Sequence, residues 1–139
     1  MKRDKLLDRV HKNSQVGLFT IPKINEMSEN PSFKQLLSAH ENEYKNIYYS
    51  AERLAGRHSL LDMSALAKVR TRAMLNLNTI TDKSSSHLAE MLVMGSTAGV
   101  IDMKKSLRKH PDAPESSREL AETLLAIEER NIDEMKQFL

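Results

Sequence analysis

Two pairs of histidine and glutamate occur in the chain with the same spacing. His40 precedes Glu43 by three residues, and His87 precedes Glu90 by three. Residues three apart share one face of an α-helix, so each pair can present an imidazole and a carboxylate together. Such nitrogen and oxygen donors suit hard or borderline metals, which makes one iron, manganese or zinc ion the cofactor to consider. The alternative for His40 is a core histidine hydrogen-bonded to its neighbours.

Glu90 is the most unusual of these residues, because it interrupts the longest apolar run, from Leu88 to Ile101. An unpaired buried carboxylate is strongly unfavourable, so a buried Glu90 needs a partner. Arg70 lies on an otherwise apolar helix face, and arginine matches a carboxylate with two hydrogen bonds. We therefore expect a buried Arg70–Glu90 pair that sets helix register. A polar pocket for a small anion or a metal ion is the alternative.

Three glycines lie inside predicted helices, where glycine is less favourable than alanine by about 1 kcal/mol. Gly95 and Gly99 are four residues apart, and Gly17 lies in the first predicted helix. We expect Gly95 and Gly99 to allow a close helix crossing, with Gly17 as the partner position. A self-association face or an opening for a ligand is the functional alternative.

The elements that must position these residues are helices, because apolar residues recur at intervals of three and four along most of the chain. Strand signals are absent. Asn30 and Pro31 form the clearest start signal, as an N-cap and a first helical residue. Five helices are predicted, over residues 3–27, 31–55, 62–81, from the serines at 84–86 to 110, and from 114 onwards.

Short connections between long helices predict antiparallel neighbours. Residues 1–139 should therefore form a single domain, an up-down four-helix bundle with the third or the fifth helix as an addition. The fourth segment is apolar on nearly all sides, which predicts that it is the central, buried helix. With a rise of about 1.5 Å per residue from the midpoint of each predicted helix, the positions along the bundle axis of four residues fall within about 10 Å: His40, Glu43, Glu90 and Glu128.

With this architecture and this His/Glu spacing, the chain resembles the ferritin-like four-helix-bundle proteins, in which Glu and Glu-x-x-His motifs hold two metal ions. It is also similar to small uncharacterised bacterial bundle proteins of this class. The resemblance implies metal binding or redox chemistry at His40, Glu43, Glu90 and Glu128. Here, however, His precedes Glu, and the first helix has no acidic residue between positions 8 and 26. At most one ion is expected, not a complete two-metal centre.

Composition narrows the classes of function. The 139 residues include no Cys, which excludes thiolate metal sites, disulfides and cysteine nucleophiles. With 3 Phe, 3 Tyr and no Trp, stacking platforms for bases are scarce, and nucleic-acid binding is not expected. Up to Pro111 the chain has 18 basic and 11 acidic residues, and from Asp112 it has 3 and 8. We interpret the acidic end as a helix docked on a basic body.

The start of the chain is charged throughout, and the longest apolar run is too short for a membrane span, so we expect a soluble, cytoplasmic protein. No phosphate loop, nucleophile elbow or His-Glu-x-x-His motif occurs, which disfavours an ordinary enzyme without excluding one. The sequence favours a non-catalytic helical bundle that acts through protein association, as a homo-oligomer. A ferritin-like metal-binding or redox protein with an incomplete site is the alternative.

Overall fold

The computed structural model describes residues 3–56 and 77–139. In these two ranges the chain forms four α-helices and a final 3-10 turn, without strands, which confirms the predicted all-α four-helix bundle. None of the described helices is long and apolar enough to cross a bilayer. The elements are α1 (Lys5–Met27), α2 (Pro31–Ala55), α3 (Ser85–Lys109), α4 (Glu115–Met135) and the 3-10 turn Lys136–Phe138.

Local sequence signals determine the helix ends. The Asn30 side chain caps α2 by accepting a hydrogen bond from the Phe33 amide at 3.1 Å, as predicted. Ser84 caps α3 in the same way, accepting from the His87 amide at 3.2 Å. Gly56 ends α2 with a φ of 76°, a left-handed conformation that glycine adopts without strain.

The four helices run up, down, down and up. The turn between α1 and α2 lies beside the start of α3, because Met27, Asn30 and Ser84 line one cavity there. At the opposite end α1 and α4 begin together, since the Ser117 hydroxyl donates to Asp4 at 2.5 Å. Among the described residues α2 and α3 contact each other least, which places these two parallel helices at opposite corners of the bundle.

The α1–α2 and α3–α4 hairpins are antiparallel, as predicted. α3 runs in the same direction as α2, which agrees with antiparallel sequential neighbours when the predicted third helix is counted between them. The fifth predicted helix is α4, one of the four bundle helices. The third, residues 62–81, lies mostly outside the described residues, so the additional helix stays a prediction.

The core receives one face of α2 and one face of α3. The buried residues of α2 recur at intervals of three and four, and they are Phe33, Leu37, His40, Tyr44, Ile47 and Ala51. Leu54, three residues further on, is exposed. The central position predicted for α3 is wrong, because Met94 and Ile101 are 66% and 50% exposed. Each helix of a four-helix bundle occupies a corner, so α3 buries one face and leaves its apolar outer face in solvent. Its inner face consists of Leu88, Ala89, Leu92, Met103 and Ser106.

Candidate functional site

A buried carboxyl group lies in the middle of the bundle. Glu128 of α4 is 3% exposed, and its Oε2 accepts a hydrogen bond from the Tyr44 hydroxyl of α2 at 3.3 Å. Its other oxygen, Oε1, is also buried and has no hydrogen-bond partner in the described part of the chain. Tyr44 is 5% exposed, so both groups are shielded from water. The pair is a polar layer inside an apolar core.

Two glycines make room for this layer. A Cβ at position 17 of α1 would lie 2.8 Å from the Tyr44 ring, and a Cβ at position 99 of α3 would lie 2.9 Å from Glu128 Cδ. Gly17 and Gly99 therefore pack against side chains, and the predicted close crossing of Gly99 with Gly17 is wrong. The prediction for Gly95 is wrong, because no described atom lies within 4 Å of its Cβ position. Each of the four helices contributes one residue to the layer.

The environment keeps both groups of the layer protonated at neutral pH. Burial raises the pKa of the Glu128 carboxyl to about 8; the charge of Asp102 adds to this effect, and the hydrogen bond from Tyr44 opposes it. Burial and the nearby Glu128 also raise the pKa of the Tyr44 phenol. Asp102 itself pairs with Arg9 of α1 at 2.5 Å and accepts from Asn13 at 3.2 Å. The neutral Glu128 carboxyl can both donate and accept a hydrogen bond.

A second polar cluster joins α2 to α4 around His40, which is 1% exposed. Its Nε2 lies 3.3 Å from Glu134 Oε1 and 3.2 Å from the amide nitrogen of buried Asn131, when that nitrogen is turned toward it. Burial lowers the pKa of His40, although Glu134 opposes this effect. In the same orientation the Asn131 amide also donates to Glu43 at 3.3 Å, and Glu43 forms an ion pair with Arg130. His40 is thus a core histidine hydrogen-bonded to its neighbours.

The four residues predicted as metal ligands are not brought together. His40 and Glu43 belong to this second cluster, Glu128 lies in the Tyr44 layer, and Glu90 lies on the outer face of α3. Across residues 3–56 and 77–139, no three His, Asp or Glu side chains form a group that could hold a metal ion. The four predicted ligands instead form hydrogen bonds or ion pairs with other side chains.

The predicted burial of Glu90 is wrong. Its side chain is 62% exposed, and its Oε2 lies 3.9 Å from Nδ1 of His87, one turn earlier in α3. The reason is the orientation of α3, which turns Leu88 and Leu92 into the core and Glu90 outward. The proposed partner, Arg70, lies outside the described residues.

One buried polar contact, made by His11, was not predicted from the sequence. His11 of α1 is 4% exposed, its Nε2 lies 2.7 Å from Glu52 Oε1 of α2, and its ring stacks on Tyr48 with centroids 4.7 Å apart. A signal was present, because His11 follows Leu7 by four residues and precedes Ser14 by three, which are the intervals of a buried stripe. Its partner depends on the packing of α1 against α2.

The chain matches no protein-family model, no curated protein and no solved structure. Its function is therefore inferred from the groups that the bundle buries and those that it exposes.

Proposed function

We propose that this protein is a non-catalytic helical bundle that acts by associating with a second copy of itself. The observation that supports this proposal is the outward side of α3, where Met94 and Ile101 are 66% and 50% exposed. These residues are seven positions apart and share one helix face with Thr97 and Ala98, which are also exposed. We call these four residues the α3 outer face. Contiguous exposed apolar residues are typical of protein interaction sites.

The other exposed large apolar side chains do not form such a face. Tyr49 and Leu54 of α2 are 54% and 46% exposed, but they are five residues apart and therefore point to different sides of the helix. Leu139 lies outside the helices, after the 3-10 turn. Among the described residues, α3 thus offers the best candidate for an apolar interface.

The polar clusters support a structural role better than a catalytic one. Tyr44 and Glu128 are shielded from solvent and hydrogen-bonded to each other, and His40 is hydrogen-bonded within its own cluster. The cavity described at the end of the bundle, of about 550 Å³, is lined by residues such as Met27 and Asn30, far along the helices from Glu128. Metal binding has less support than association, because the predicted ligands are dispersed. Elemental analysis of the purified protein tests this alternative.

The proposal is tested by measuring the mass of the particle over a range of concentrations, by sedimentation velocity or by light scattering after gel filtration. The parent should form a dimer as its concentration rises. Ile101→Glu should stay monomeric under the same conditions and keep its helical far-UV spectrum, since residue 101 lies outside the core. Leu54→Glu is the matched control and should dimerise like the parent. A parent that stays monomeric at millimolar concentration would contradict the proposal.

A further inference from the structure

The residues along the outer side of α3 follow a self-complementary order. Met94 and Ile101 are equally far from the midpoint of the α3 outer face, which lies between positions 97 and 98. Glu90 and Lys105 are also equally far from that midpoint, one on each side. At 100° per residue, all four fall within about 60° of arc on the helix surface. The helix therefore presents, in order, an acid, an apolar residue, two small residues, an apolar residue and a base.

From this order we infer that two copies pair through an antiparallel, two-fold symmetric contact of their α3 helices, with Glu90 of each copy against Lys105 of the other. The inference rests on the proposed self-association. In a two-fold contact each residue meets the one that is equally far from the midpoint on the other side. Met94 then packs on Ile101, and an opposite-charge pair forms at both ends. A parallel pairing would instead bring Glu90 to Glu90 and Lys105 to Lys105.

The two charged residues are available for this role. The Glu90 side chain is 62% exposed, and its described ionic contact, with His87, is long at 3.9 Å. Lys105 is exposed as well. The adjacent Lys104 lies 4.0 Å from Glu129 of its own copy, which makes Lys105 the better partner for a second chain. Lys104 adds positive charge to the surface that Glu90 of the other copy approaches.

Thr97 and Ala98 lie on the two sides of the midpoint, so Thr97 of each copy is level with Ala98 of the other and both residues lie beside the two-fold axis. Their small side chains let the two helices approach closely. One pair of helices buries less area than a standard protein interface. We therefore expect a reversible dimer that weakens as salt concentration rises, because its end pairs are exposed.

Charge reversal tests the pairing. Glu90→Lys and Lys105→Glu each place like charges together at both ends, and each should weaken the dimer by about three- to tenfold. The double variant E90K/K105E should restore the parent's dissociation constant. An equimolar mixture of the two single variants should associate more tightly than either alone, because both ends of the mixed dimer then carry opposite charges. Asp133→Lys, on α4 with its side chain 78% exposed, matches the charge change of E90K and should have no effect.

A covalent test uses the absence of native cysteine. Ala98→Cys should form a disulfide-linked dimer on mild oxidation, because the two thiols lie beside the symmetry axis. Thr123→Cys, at an exposed position of α4, should stay monomeric. A dimer that is lost in I101E but is unaffected by E90K and K105E would overturn the two-fold pairing and leave self-association standing. A monomeric parent would overturn both.

Discussion

At the scale of single residues, the proton on Glu128 is part of the folded core. The carboxyl is buried and accepts a hydrogen bond from Tyr44. Among the described residues, no cation pairs with Glu128 to compensate a negative charge on it. An ionised form would need such compensation in this environment. Gly99 supplies the space that the carboxyl occupies, so the acid and the glycine are best regarded as one unit.

Glu128→Gln should remove a pH dependence of stability. The pKa of Glu128 rises from an ordinary 4.5 to about 8 in the folded protein, so the native state holds this proton more tightly than the unfolded chain does. The parent should therefore lose stability, relative to E128Q, as the pH rises from about 4.5 to 8, and little more above that. At pH 9 the variant should be the more stable by about 2–4 kcal/mol.

Urea unfolding at pH 5, 7 and 9 measures this difference. Glu129→Gln is the matched control, because its side chain is 51% exposed on the same helix and carries the same charge. The control should follow the pH profile of the parent. Equal profiles for the parent and E128Q would show that Glu128 does not hold its proton in the native state.

At the scale of the helix, α3 carries two glycines with opposite surroundings. Gly99 faces the Glu128 carboxyl, whereas no described atom lies within 4 Å of the Cβ position of Gly95. Both lose the same helix propensity relative to alanine, so any difference between them reports their neighbours. Substitutions at Gly95 and Gly99 therefore separate the effect of helix propensity on stability from the effect of packing, within one helix.

Gly99→Ala should destabilise the protein by a net value of about 1–2 kcal/mol, because overpacking at Glu128 exceeds the gain in helix propensity. Gly95→Ala should be neutral or stabilise it by up to about 1 kcal/mol. Thermal or urea unfolding measures both. In an E128A background the penalty of Gly99→Ala should disappear, since the group it meets is gone. A penalty that persists in that background would place the clash elsewhere.

How much of each helix could be predicted depended on whether the signal was local. The start of α2 at Asn30 and its end at Gly56 are set by capping chemistry within a few residues, and both were predicted. The inner side of α3 was not, because its residues from Leu88 to Ile101 are apolar all round. Only the positions of α1 and α4 decide that Met94 faces outward. Glu90 was therefore assigned to the wrong side, whereas Glu128 was identified as a candidate but without its partner, Tyr44.

At the scale of the whole molecule, a few polar contacts between distant parts of the chain show the direction in which each helix runs. Arg9 and Asp102 join the first half of α1 to the second half of α3, and Asp4 and Ser117 join the starts of α1 and α4. The periodicity of apolar residues does not show which way a helix runs in the bundle, because the same stripe fits either direction equally well. The directions could be predicted only from the order of the helices, because antiparallel sequential neighbours, with the predicted helix 62–81 counted between α2 and α3, give these two helices the same direction.

The antiparallel arrangement of α1 and α3 predicts that a cysteine pair at positions 13 and 102 forms an intramolecular disulfide. Asn13 Nδ2 lies 3.2 Å from Asp102 Oδ2, so the two side chains are neighbours. In an up-down-up-down bundle α1 and α3 would be parallel, and position 13 would lie level with residue 93, about 14 Å from residue 102.

Mild oxidation of N13C/D102C at low protein concentration, followed by mass spectrometry of the peptides, should recover the 13–102 link in most chains. N13C/S86C serves as the control and should stay reduced, because residue 86 is at the other end of α3, about 24 Å from residue 102. A 13–102 pair that stays reduced under the same conditions would contradict the antiparallel arrangement of α1 and α3.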